Sequence, residues 1–142
     1  MNTTDPRLVY AEVVADLPVL WATLQSLDLP ATLDRHFPAP LHWKGPLSPG
    51  EILAVWLLFL VSQGDHCLNH VEPWVGLHQG VLSALLGKAV LPVHFHDDRL
   101  ADWLDRLSGD DSFSALEHEL NRHTIRVYQL PTDLNKSTQQ GK

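Results

Sequence analysis

The stretch SPGEILAVWLLFLVSQG, residues 48–64, decides the fold. Ser48 and Glu51 stand three apart ahead of an apolar run. That is the pattern of a capping box, in which the Ser48 hydroxyl accepts from the Glu51 backbone N–H and the Glu51 carboxylate accepts from that of Ser48. Pro49 suits the first helical position, where a missing N–H costs nothing, and Gly64 supplies a C-terminal cap. Between the caps the residues are apolar almost all round, so this helix belongs at the centre of the fold. The apolar run from Ile52 to Val61 is far shorter than the roughly 20 residues a bilayer span needs.

Working outward, Leu17, Leu20, Trp21, Leu24 and Leu27 recur at helical spacing behind Pro18, and DLPATLDRHF presents Leu33 and Phe37 from a second, short helix. PAPLHWKGPLSPG is dense in Pro and Gly and reads as the main internal loop. After Gly64, Asp65 is placed to cap a helix carrying Leu68, Val71, Trp74 and Val75, with a kink or break expected at Pro73. GLHQGVLSALLGK adds another short helix and AVLPVHF an extended connector. The stripe Leu100, Trp103, Leu104 and Leu107 marks the next helix, and Phe113, Leu116, Leu120, Thr124 and Val127 mark the last, ended by Pro131. No stretch alternates at period two and no segment repeats. The expectation is an all-α protein, a single compact bundle of about six helices over residues 16–130. A tail at 1–15 and a polar tail at 131–142 form flexible termini.

The 142 residues are 44% hydrophobic and 19% charged, enough for one domain with a real core. A net charge of −7, from 17 acidic and 10 basic residues, excludes a protein that coats phosphate backbones with clustered Lys and Arg. Any contact with nucleic acid must be local. The single cysteine, Cys67, cannot form an internal disulfide, and the charged N-terminal stretch lacks the apolar core of a signal peptide. A cytoplasmic protein without a membrane segment is expected.

Nine histidines invite a metal reading. GDHCLNHVE offers His66, Cys67, His70 and Glu72, with His66 and His70 one helical turn apart, and HFHDD offers His94, His96, Asp97 and Asp98. Neither has a strong spacing such as paired CxxC or HExxH. Asp97 or Asp98 stands where the next helix needs an N-cap, and in an extended segment His94 and His96 share a face with Phe95 opposite. Capping and packing therefore account for these residues, and no metal is expected. Cys67 reads as a small, half-buried thiol rather than a nucleophile. With no glycine-rich phosphate loop, no cofactor and no small-molecule substrate are expected.

Four of the five tryptophans, Trp21, Trp56, Trp74 and Trp103, fall on apolar faces; Trp43 lies in the Pro/Gly loop beside His42 and Lys44. That loop and the last helix, with Arg122, His123 and Arg126, are where basic and aromatic residues gather. Arg122 and Arg126, four apart, share a face and can reach adjacent phosphates. Lys44, Arg122 and Arg126 are the candidate DNA contacts; the alternative for the arginine pair is a solvated face beside Glu119.

Three blocks in order, HWKGPLSPGEILAVWLLFLVSQGDHCLNHVEPWV, FHDDRLADWLDRLS and LEHELNRHTIRVYQLPTDL, resemble the N-terminal region of bacterial IS4-like insertion-sequence transposases of the DDE type, over residues 16 to about 134. In that family the helical segment precedes an RNase H-like domain whose three acidic residues hold the catalytic metals. The resemblance implies a non-catalytic segment that binds element ends or assembles the transposase. Its partners would be DNA, the catalytic domain or a second copy. LPTDLNKSTQQGK departs from the pattern where the first catalytic acid would follow. Asp133 belongs to the turn, so a severed front half of a transposase is expected. An interaction module without DNA binding is the rival reading, and a metal-binding protein a weaker one.

Overall fold

The computed structural model describes residues 14–131. The described residues contain seven α-helices and two 3-10 turns joined by loops, with no strand among them. The helices are α1 Leu17–Ser26, α2 Leu29–His36, α3 Pro49–Gln63, α4 Val71–Leu77, α5 Gln79–Leu86, α6 Asp97–Leu107 and α7 Asp110–Tyr128, one more than about six. No single one is long and apolar enough to cross a membrane.

Helix α3 begins and stops as its caps dictate. Ser48 Oγ accepts from Glu51 N at 3.2 Å, Glu51 Oε2 accepts from Ser48 N at 2.8 Å, and Gly64 closes the helix in the left-handed region at φ 60°. Six residues of its body, Ile52 to Val55 with Leu58 and Phe59, are almost wholly buried. Around them lie Leu17 and Trp21 of α1, Leu29 and Leu33 of α2, Val71, Trp74 and Val75 of α4, Leu82 of α5, and Leu100 and Trp103 of α6. At roughly 25 cal/mol per Å² of apolar surface, this shared core is the main force holding the bundle together.

The α2–α3 interface is the largest between elements, and it depends on Gly50. A Cβ there would stand 2.0 Å from the Pro30 carbonyl oxygen, and the Gly50 N–H donates to Asp34 Oδ1 at 2.7 Å. Helix α7 is attached differently. Of its expected stripe only Leu116 is buried and Leu120 and Thr124 are half-buried, while Phe113 and Val127 are exposed by 49% and 41%. Its hold on α2 is polar: Glu119 accepts from Arg35 at 2.5 Å and from His36 at 2.6 Å, and His123 donates to the Leu27 carbonyl at 3.0 Å.

Several expectations need correction. Asp65 does not cap a helix; its Oδ1 accepts from Cys67 N at 2.9 Å and its Oδ2 from His70 at 2.6 Å, making a closed turn. A 3-10 turn at Leu68–His70 follows, and α4 starts at Val71, so the expected helix is broken just ahead of Pro73, which stands in the first turn of α4, where proline is tolerated. The connector is not extended: Pro92–Phe95 form a 3-10 turn, so His94 and Phe95 both point inward while His96 is exposed. The N-cap position of α6 is His96, with Asp97 and Asp98 in the first turn, where their charge still opposes the positive helix end. Cys67 is exposed, not half-buried. The tail beyond Pro131, including Asp133, lies outside the described residues, as does most of the tail at 1–15.

Candidate nucleic-acid interface

Two distant pieces of sequence make a concave surface lined by aromatic and charged side chains. The loop before α3 supplies Pro40, His42, Trp43 and Lys44, and one face of α6 supplies Arg99, Asp102, Trp103, Asp105 and Arg106. Arg99, Trp103 and Arg106 stand four and three apart, so a single helix face carries all three. Together the residues line an open groove of about 600 Å³.

The groove is held in shape by two indoles and the guanidinium groups that lie over them. Trp43 and Trp103 meet edge to face at 5.6 Å, and Trp43 Nε1 donates to the Leu47 carbonyl at 2.8 Å, which fixes the indole to the loop. The Arg99 guanidinium lies 4.0 Å from the centre of the Trp43 ring and donates to the carbonyls of Lys44 at 3.3 Å and His94 at 3.5 Å. Arg106 lies over Trp103 at 4.6 Å. Burial pulls the Arg99 guanidinium below its usual value, yet arginine at such a site stays charged at neutral pH. His94, beneath the loop, is pushed down by burial and by the charge of Arg99, so it is neutral. Its Nδ1 accepts from Leu91 N at 3.3 Å, which leaves the proton on Nε2.

Of the sequence candidates, Lys44 is exposed at this groove. Arg122 and Arg126 are exposed on α7, and their side chains make neither hydrogen bond nor ion pair among the described residues. No contact joins them to Lys44, so the three do not form one site. Glu119 is turned to Arg35 and His36, which hold its carboxyl below the usual range, His36 first and Arg35 second. Sequence reading missed Arg99 and Arg106, although their spacing of seven residues with Trp103 between them was a signal that one helix face repeats a cation around an indole.

The histidine-rich segments are placed otherwise. Asp65, Cys67 and His70 bring ligand atoms within 4.8 Å of one another, while His66 and Glu72 stay apart because no continuous helix runs from residue 65. The Asp65 carboxyl, lowered to about 2 by the Cys67 N–H and then by His70, raises the Cys67 thiol, the reverse of what a nucleophile needs. His96, Asp97 and Asp98 form a second, exposed group, and the buried His94 is parted from it.

No family model matches the chain, and no curated protein or solved structure matches it.

Proposed function

We propose that the chain is the helical accessory domain of an insertion-sequence transposase of the DDE type, a binding rather than a catalytic unit, which takes part in DNA transposition by holding element ends at the Trp43 groove. One observation carries this reading. Two of the three sequence blocks that resemble the transposase family meet in the groove, the first supplying His42, Trp43 and Lys44 and the second Arg99, Trp103 and Arg106. Indoles set edge to face beneath guanidinium groups, with a lysine at the rim, are the residue types that nucleic-acid sites use for bases and phosphates. The acidic balance of the whole chain limits the contact to a few phosphates.

The test is fluorescence anisotropy of a labelled duplex with a single-stranded overhang, at low salt. Binding is expected, weakened in Lys44→Ala and Arg106→Ala. No binding even at low salt removes the reading.

A second reading, docking on the catalytic domain or on a second copy, is favoured by the α6–α7 surface. Leu104 and Phe113, exposed by 42% and 49%, line a shallow hollow with Leu107, and Ile125, Val127 and Tyr128 are also exposed. Exposed apolar side chains such as those of the Leu104–Phe113 hollow mark association surfaces when they form a patch.

A further inference from the structure

Asp102 and Asp105 do not suit a phosphate track. Both line the groove, and α6 carries Asp97 and Asp98 at its start, so a duplex laid along this helix would bring its phosphates against four carboxylates. The two guanidinium groups in the groove lie over indole rings and make no ion pair with Asp102 or Asp105 among the described residues. Among the described residues neither Asp102 nor Asp105 takes a hydrogen bond or an ion pair through its carboxylate. The groove therefore offers flat cationic platforms on indoles, two carboxylates with unused acceptor capacity, and one free lysine at the rim.

That combination is complementary to a base, not to a backbone. A carboxylate accepts from the exocyclic amino group of cytosine, adenine or guanine, and a guanidinium plane on an aromatic ring stacks with any base. An ammonium at the edge holds one flanking phosphate. In a duplex the bases are already stacked and paired, and cannot enter a groove of this kind without being turned out. The groove, at about 600 Å³, falls within the range of about 300–1,000 Å³ usual for small-ligand clefts. We infer that the Trp43–Trp103 groove binds an unpaired, amino-bearing nucleobase of single-stranded nucleic acid, with Asp102 and Asp105 reading the amino group and Lys44 holding the adjacent phosphate. This deepens the DNA-binding reading and rests on it.

The experiment is a titration of the full chain, followed by anisotropy, with labelled oligo(dC), oligo(dT) and a blunt duplex of mixed sequence, repeated at two salt concentrations fourfold apart. The groove predicts that oligo(dC) binds at least about fivefold tighter than oligo(dT), the lower end of what one good base contact discriminates. With one or two phosphates neutralised on a single strand, fourfold more salt weakens binding by only about three- to sevenfold. Asp102→Ala combined with Asp105→Ala is expected to bind oligo(dT) at least as well as the unsubstituted chain, since two negative charges are gone, while the preference for oligo(dC) disappears. A merely structural role for the two aspartates would not produce that split. Equal binding of the two oligonucleotides, or a preference that survives the double substitution, overturns the inference. Binding of the duplex alone, with a much steeper loss in salt, overturns it too but leaves the DNA-binding reading standing. Binding of none of the three removes both.

Discussion

Gly50→Ala tests whether the centre of the fold is built as described. The added methyl would sit 2.0 Å from the Pro30 carbonyl oxygen, against the 3.4 Å at which ordinary contact begins, so α2 and α3 must part locally by about 1.4 Å. The same movement would lengthen the 2.7 Å bond from the Gly50 N–H to Asp34 past any useful distance. Overpacking of this kind costs about 1–3 kcal/mol, and loss of a hydrogen bond to a charged group about 1.5–3 kcal/mol. Removing a glycine from a helix returns at most about 1 kcal/mol. The net loss is about 2–5 kcal/mol, on the order of 10 °C in Tm for a domain of this size. Gly76→Ala provides the comparison, because its Cβ would meet nothing closer than 3.5 Å, at Pro92, and it lies within α4. It is expected to leave stability unchanged or to raise it by up to about 1 kcal/mol. Thermal denaturation by circular dichroism reads both. If Gly50→Ala melts within a degree or two of the unsubstituted protein, or moves with Gly76→Ala, the close approach of α2 and α3 is not what holds the centre.

Ser48→Ala removes half of the capping box and is expected to cost about 1 kcal/mol in urea denaturation; no change would mean that the cap adds nothing to a helix so buried. The depressed Glu119 carboxyl stabilises the fold in full above the ordinary glutamate value of 4.5, and that contribution is lost as pH falls through the lowered value. The Tm difference between the unsubstituted protein and Glu119→Gln should therefore shrink between neutral pH and pH near 3; a constant difference would contradict the ion pairs with Arg35 and His36. Asp65, at about 2, acts in the same direction between 3.8 and 2, so Asp65→Asn should flatten the acid arm of the stability curve there. On the assembly reading, Phe113→Glu should lower the mass seen by light scattering at high concentration without lowering Tm, since its side chain is half exposed; an unchanged mass distribution would count against that surface.

What could be read from sequence was local. The box at Ser48 and Glu51, Pro49 and the left-handed Gly64 are contacts between near neighbours, and their residue types carry the geometry. The apolar girth of α3 indicated its place, because a central helix buries most of its surface, although Val61 near its end stays exposed. Periodicity was less informative on α7, since it tells which residues share a face and not what lies across from them; Phe113 and Val127 share the stripe of Leu116 and remain exposed. The connector failed for a related reason. Two histidines around a phenylalanine look alternating, but Pro92 opens a 3-10 turn, and the backbone rotation turns His94 inward beside Phe95. The groove was half legible: Trp43 stood out in its loop, while its partners Arg99 and Trp103 lie far along the chain, and no local pattern reports that they meet. Arg122 and Arg126 were legible as a pair sharing one helix face, but spacing does not report what that face meets, and in the fold both are exposed.

The five indole N–H groups give the most direct test of the central claim. In a proton–nitrogen correlation spectrum of the full chain, addition of DNA with a single-stranded overhang is expected to shift the Trp43 and Trp103 indole signals. Those of Trp21 and Trp56, in the core and away from the groove, should stay in place. Indole signals that do not move, or that move at Trp21 and Trp56 while those of Trp43 and Trp103 stay still, would contradict a nucleic-acid site at this groove.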